Sequence, residues 1–349
     1  MENTIKSIGM DVSDRKVDLC LLNAQAEIVG REKLANTEPA LKKWFSGQSL
    51  TRVSLEAGTH SRWISSLLEG LGHEVIVANP RKLRAIYESD RKTDLRDAEM
   101  LARLGLADKS LLSPIRHRGR QAHADLSLLH ARDQLVQTRT KLVTHVRGVV
   151  KAFGARIKAC STATFDLKAR QEIPQELKPA LFPILDTIAV LTEKIRAFDG
   201  KIEALAQERY PESQRLRQIK GVGFVVSLAY VLLLEDPSRF KNSRQVGAYL
   251  GLTTRQSQSG EKDRRSRITK AGDSMMRRLL VQSATRILGP FGADSDLRRW
   301  GLAYSARGGP SSKKRARIAV SRKLAVLMHA LWKTGQAYEP LRNQSLMAA

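Results

Sequence analysis

Hydrophobic and polar positions alternate with a period of two over residues 5–12, 17–22 and 27–34, which predicts three short strands. Turn-forming runs at 13–16 and 23–26 separate them, so the strands form an antiparallel meander. Residues 39–45 read as a helix and 51–55 as a strand ending in Glu56. Residues 60–71 read as an amphipathic helix with Trp63, Ile64, Leu67 and Leu71 apolar, and 74–78 as a strand closed by Asn79 and Pro80. A meander followed by strand–helix–strand predicts an α/β layer on a mixed sheet. A helix then opens near Asp94, with Leu95, Ala98, Ala102 and Gly105 free to dock on that sheet.

The pattern next becomes helical. Residues 119–151 read as one long helix in which Leu128, Leu135, Leu142 and Val149 recur every seven residues, with Leu129, Val136, Val143 and Val150 beside them. Residues 153–183 are less regular, and the prolines at 174, 179 and 183 predict a linker or short broken helices. Ile184, Ile188, Leu191, Ile195, Phe198, Ile202 and Leu205 then alternate steps of four and three, a heptad seam that stops at Tyr210 and Pro211. Such a seam closes either an antiparallel hairpin with the neighbouring helix or a coiled coil between protomers.

Further on, Ile219-Lys220-Gly221-Val222-Gly223 precedes an apolar helix at 224–234. It reads as a helix–hairpin–helix-like turn or as a plain capping turn. It lacks the third glycine and preceding strand of a dinucleotide-binding fingerprint. A short helix and turn are expected at 240–252, a flexible polar loop at 254–262 and a helix at 274–288. A last helix after Pro310 carries Ile318, Val326, Leu327 and Leu331 on one side and cations on the other.

Charge changes this picture. Sixty Lys and Arg against 35 Asp and Glu give a net charge of +25, which implies a polyanionic partner, most simply nucleic acid. No apolar run approaches the ~18 residues of a membrane span, and no signal-peptide core opens the chain, so no membrane partner is expected. Cys20 and Cys160 are the only cysteines, which excludes a disulfide framework and a zinc ribbon. His123 and His130 share a helix face without a metal-ligand spacing and read as surface residues.

The candidate chemistry lies with the acids. Asp94 and Asp97 stand three residues apart at a helix start, so both can face one metal ion or a close pair. A helix start also favours acids for its own sake, with Asp94 as the N-cap. Alternation puts Asp11 on the face of strand one opposite Ile8, Met10 and Val12, where a half-buried carboxylate needs a partner or an ion. Glu56 falls at the carboxyl end of a later strand, where ligands of such sheets gather. Oxygen-only donors suit Mg²⁺ or Mn²⁺. In the C-terminal third, Ser259-Gly260 is surrounded by Arg255, Lys262, Arg264, Arg265, Arg267 and Lys270; Lys313, Lys314, Arg315 and Arg317 form a second cationic run. Cations of this kind stabilise a phosphate under attack by a hydroxyl, and they also bind nucleic-acid backbone. Ser257 is a neighbouring alternative to Ser259.

Gly9-Met10-Asp11-Val12-Ser13, Leu55-Glu56-Ala57-Gly58-Thr59, Asn79-Pro80 and Lys92-Thr93-Asp94-Leu95-Arg96-Asp97-Ala98 resemble, in order and spacing, the signature of the DEDD-type insertion-sequence transposases. Gly251 to Gly260, Ile268 to Gly272 and Met276-Arg277-Arg278 are similar to that family's C-terminal motif, with Thr254 where the family often has proline.

The resemblance implies an α/β plus α fold: an RNase H/RuvC-like mixed-sheet domain at 1–158, a helical coiled-coil linker at 159–211 and a mainly helical serine transposase domain at 212–349. It implies a metal-binding tetrad of Asp11, Glu56, Asp94 and Asp97, and Ser259 as the nucleophile of a composite Mg²⁺–serine site. It further implies a bridge RNA as guide, donor and target DNA as substrates, a homodimer assembling to a tetramer, and a cytoplasmic protein associated with the nucleoid when acting. A metal-dependent junction nuclease without a covalent step and a basic scaffold without activity are the other readings.

Overall fold

The computed structural model describes residues 4–83, 93–259 and 262–343, with backbone alone at 256–259 and 262–266. The chain divides into two compact units, residues 1–117 and 118–349. The domain boundaries expected at 158 and 211 both fall within the second unit.

The first unit is built on five strands: β1 (Ser7–Val12), β2 (Lys16–Leu22), β3 (Ile28–Ala35), β4 (Arg52–Glu56) and β5 (Glu74–Ala78). Their order is β3-β2-β1-β4-β5. The two tight turns make β1–β2 and β2–β3 antiparallel, whereas β1–β4 and β4–β5 are parallel. Helices α1 (Glu38–Ser46) and α2 (Ser61–Gly70) supply the connections that parallel strands require. The sheet is therefore mixed, in an order compatible with an RNase H-like fold.

One face of this sheet carries Ile8, Met10, Val17, Leu19, Val53 and Leu55, which form a core with Leu41 and Phe45 of α1 and Ile64 and Leu68 of α2. The other face receives α3 (Asp94–Ala107) through Ala98, Leu101, Ala102 and Gly105. Leu95, expected to dock here, is 44% exposed; the larger step to Leu101 brings that leucine inward instead.

The second unit is mostly helical: α4 (Arg120–Ala152), α5 (Phe165–Arg170), α6 (Lys178–Arg209), α7 (Pro211–Leu216), α8 (Phe224–Leu234), α9 (Arg244–Tyr249), α10 (Ser274–Leu288), α11 (Asp296–Ala306) and α12 (Ser312–Thr334). Val143, Val146 and Val150 near the end of α4 share a core with Leu181, Leu185 and Ile188 near the start of α6. Leu126 and Leu129 near the start of α4 share another with Ile202, Leu205 and Ala206 near the end of α6. The two helices thus run antiparallel, and the seam closes within the chain. Ile188, Ile195, Ile202 and Leu205 of the expected column are buried, whereas Leu185 and Thr192 are buried in place of Ile184 and Leu191, which are half-buried.

Polar rungs keep the hairpin in register. Asp125 accepts from Tyr210 Oη at 2.7 Å and from Arg209 Nη1 at 3.3 Å, Arg132 meets Asp199 at 2.5 Å, and Arg139 donates to Thr192 Oγ1 at 3.1 Å. The expected proline break also moves. Pro179 lies in the first turn of α6, and Pro183 is accommodated inside the helix, where it forfeits one backbone bond near the start.

The region expected as a loop at 254–262 is instead a two-stranded hairpin, β6 (Thr254–Ser259) with β7 (Lys262–Ile268). The sequence of β6 is polar throughout, so no apolar alternation marks it as a strand. At the 219–223 turn, Gly221 has φ +104° and leaves no room for a side chain: a Cβ there would meet Ile287 Cγ1 of α10 at 2.9 Å. Its glycine therefore serves a tight turn packed on a helix.

Candidate active site

The strand register assembles the acids. Asp11 of β1 pairs directly with Asp18 of β2. On the other side Met10 pairs with Leu55, so one residue further Asp11 and Glu56 stand on neighbouring strands. Three carboxylates thus lie on one rung across β2, β1 and β4, beside the start of α3. The capping reading does not hold for Asp94: Thr93 is the N-cap of α3, its Oγ1 accepting from Arg96 N at 3.4 Å, and Asp94 is the first helical residue.

Small residues bring α3 down onto the rung. A Cβ on Gly105 would stand 2.2 Å from Ser54 Oγ, and Ser7 Oγ donates to Ala102 O at 2.9 Å. Arg31 Nη1 donates to Leu95 O at 3.2 Å near the start of the helix, and Arg52 Nη1 to Gly105 O at 2.7 Å near its end. The helix is therefore pinned along its length, and Asp94 and Asp97 with it.

The electrostatics record the convergence. The Asp11 carboxyl is pushed up to about 6, first by burial and then by the negative charges of Asp94, Asp97, Asp18 and Glu56. Lys16 is the nearby cation: its Nζ lies 2.9 Å from Asp94 Oδ2 and 3.3 Å from Asp18 Oδ2. That hydrogen bond holds Asp94 below the usual carboxylate range and raises Lys16. Among the described residues no three His, Cys, Asp or Glu side chains surround one point as metal ligands. With these side-chain conformations, Asp94 and Asp18 meet around an ammonium group.

The donor set nonetheless fits a divalent cation. All of its atoms are carboxylate oxygens, and the raised Asp11 carboxyl marks negative charge that Lys16 does not fully offset. Sequence reasoning missed Asp18 and Lys16. Their signal was present: a turn centred on Asp14 and Arg15 places Val17 opposite Val12 and Asp18 opposite Asp11.

Ser259 ends β6 opposite Lys262, and Ser257 pairs with Arg264. The side chains of Ser257, Ser259, Lys262, Arg264 and Arg265 lie outside the described residues. Arg255, Arg267 and Lys270 are exposed. The base of the hairpin is built backbone on backbone: Gly251 has φ +68° and would place a Cβ 2.3 Å from Ala271 N. Thr269 N donates to Thr253 O at 2.9 Å, and Arg277 Nη1 donates to Gly272 O. On α12, Lys313, Lys314, Arg315 and Arg317 are all exposed, over a buried stripe of Ala316, Val320 and Leu324.

Comparison with known proteins follows this division. A DEDD transposase model matches residues 8–154, which holds the whole acid rung. A model described as the transposase IS116/IS110/IS902 family matches residues 213–293, which holds the hairpin. The transposase y4pF/y4sB of Sinorhizobium fredii is 30% identical over 345 residues, 97% of this chain and 87% of its own. The chain belongs to this transposase family.

The transposase for insertion sequence element IS1111A of Coxiella burnetii is 25% identical over 347 residues, covering 96% of this chain and 91% of that one. The transposase for element IS1328 of Yersinia enterocolitica is 29% identical over 272 residues, 73% of this chain and 78% of that one. As a member of the family, the transposase is an enzyme that cuts and rejoins DNA, and DEDD transposases work with a divalent metal cation. Among the described residues of the transposase no helix is long and apolar enough to cross a membrane.

Proposed function

We propose that Asp11, Glu56, Asp94 and Asp97 are the metal-binding tetrad of this transposase. The observation that carries the reading is the raised Asp11 carboxyl, on which burial and four neighbouring acids converge. Asp94 and Asp97, at the start of α3, would hold the ion together with Asp11 and Glu56, and Asp94 would exchange its Lys16 ammonium partner for it. A bound Mg²⁺ or Mn²⁺ supplies Lewis-acid stabilisation of charge on a scissile phosphate.

Ser259 is the nucleophile. Its Oγ forms a bond to a DNA phosphorus, the phosphorus–oxygen bond to the departing deoxyribose breaks, and that oxygen takes up a proton. The resulting phosphoserine is resolved by the reverse attack of a DNA hydroxyl, which rejoins the strand. The support is the position of Ser259 at the tip of a hairpin held by Gly251, Gly272 and Arg277, inside the segment matched by the family model. Arg255, Lys262, Arg264, Arg265, Arg267 and Lys270 contact the nucleic-acid backbone around it. The acid domain at 1–158, the helical linker at 159–211 and the serine domain at 212–349 act as a homodimer that assembles to a tetramer on donor and target DNA, with a bridge RNA as guide.

Adduct trapping tests this reading. Purified protein, the RNA encoded beside its gene, donor and target DNA and Mg²⁺ are combined and run on denaturing gels. A DNA-linked peptide containing Ser259, absent from Ser259→Ala and from Asp94→Ala, is expected. Metal-dependent cleavage that survives Ser259→Ala and leaves no adduct would instead identify a plain junction nuclease.

A further inference from the structure

Helices α11 and α12 carry a four-layer stack. Trp300 and Tyr304 of α11 stack with ring centroids 5.5 Å apart and planes inclined by 30°. Lys323 of α12 places its Nζ 4.3 Å from the centre of the Trp300 ring, and Arg307 places its Cζ 5.1 Å from that of Tyr304. The rings are half-buried and both cations are exposed. Gly301, beside Trp300, lets the helices meet closely: a Cβ there would lie 2.5 Å from Val320 Cγ2 and 2.7 Å from Leu288 Cδ2. The stack is thus seated on the core.

Two features indicate what it is for. First, the aromatic pair gives one ring to each cation and the rings to each other, so a base could stack only by displacing Lys323 or Arg307. This is unlike the open ring faces on which single strands stack. Second, among the described residues no carboxylate pairs with either cation. From Trp300 to Thr334 the chain has no Asp or Glu and eight Lys and Arg. A long basic side chain ordinarily gives up rotamer freedom when it is fixed. Here ring contact fixes it before any partner arrives.

We propose that Lys323, Trp300, Tyr304 and Arg307 form a preorganised cation ladder that grips a phosphodiester backbone. The aromatic rings are positioning groups, and the two cations make the contacts. The ladder extends the exposed row of Lys313, Lys314, Arg315 and Arg317 on α12. It rests on the nucleic-acid reading given above, but not on the serine chemistry. Duplex DNA and folded RNA both offer this backbone.

The test is the salt dependence of binding by the full-length protein, with a random-sequence DNA duplex and an RNA hairpin as separate probes. Each phosphate contact contributes about −0.9 to the slope of log K against log salt on duplex DNA. The double variant Lys323→Gln/Arg307→Gln is expected to flatten the duplex slope by about 2 and to weaken binding at least tenfold, equally across sequences. Loss on one probe alone assigns the ladder to that nucleic acid; loss on both assigns it to the shared backbone. Tyr304→Leu, which keeps both charges, is expected to weaken binding several-fold in the wild-type background and not at all beside Arg307→Gln. Unchanged slopes on both probes in the double variant would overturn the proposal. Adduct formation reads the chemistry separately: normal slopes with no wild-type adduct would remove the serine mechanism and leave the ladder.

Discussion

A Cβ on Gly9 would stand 1.8 Å from the carbonyl oxygen of Ala98. Strand β1 and helix α3 therefore touch backbone to backbone at the residue two before Asp11 and the residue after Asp97. Any side chain at position 9 must lift the helix that carries two of the four proposed ligands.

Gly9→Ala is accordingly expected to lower stability by about 1–3 kcal/mol through overpacking. It should weaken Mn²⁺ binding in the same protein, because Asp94 and Asp97 move away from Asp11. Thermal unfolding and calorimetric titration with Mn²⁺ check both. A variant that unfolds at the wild-type temperature would mean that the close approach relaxes without cost.

The raised Asp11 carboxyl gives a pH dependence whose sign is opposite to that of an ordinary ion-paired acid. Its value is about 6 in the folded protein against an ordinary 3.8, so between these limits the folded state binds more protons than the unfolded one. Stability of the metal-free protein therefore contains a contribution that is present at low pH and lost as pH rises from about 4 through 6. Asp11→Asn should flatten this decline, and Mn²⁺ should restore stability at pH 7 in the wild type but less in the variant. Melting temperatures across that range, with and without the ion, are the measurement.

Lys16→Met tests the ammonium that bridges Asp94 and Asp18. Without it the acids repel more strongly in the metal-free state, so the melting temperature should fall at pH 7. A competitor for Asp94 is also removed, so Mn²⁺ affinity should rise several-fold. Weaker Mn²⁺ binding would instead identify Lys16 as a support for the loaded site.

Tyr210→Phe removes the 2.7 Å bond to buried Asp125 while Arg209 and Gln121 still face that carboxylate. A loss of about 1.5–3 kcal/mol is expected for a hydrogen bond to a charged group, toward the lower end because other partners remain. Denaturant titration reads it directly, with metal binding at the acid rung unchanged.

Much of the first unit was legible in the sequence because its strands alternate and its turns are short. Asp11, Glu56, Asp94 and Asp97 fell at strand and helix ends where a mixed sheet gathers ligands. Asp18 and Lys16 were not singled out, since they become neighbours of the acids only once the β1–β2 register is counted through the turn. The β6–β7 hairpin was hidden for a different reason: with no apolar face, its strands read as a loop. The heptad seam was visible, but which residues lead it depends on the partner, and α4 draws Leu185 and Thr192 inward rather than Ile184 and Leu191.

The antiparallel pairing of α4 and α6 also constrains how this protein can change in length. Asp125 with Arg209, Arg132 with Asp199 and Arg139 with Thr192 lie at successive steps along the two helices. A deletion of one heptad in α4 alone would slide every later rung past its mate. Only a compensating heptad removed from α6 would restore them. The hairpin thus behaves as a ruler whose two edges must be cut together, and relatives of different span should differ there by paired insertions or deletions.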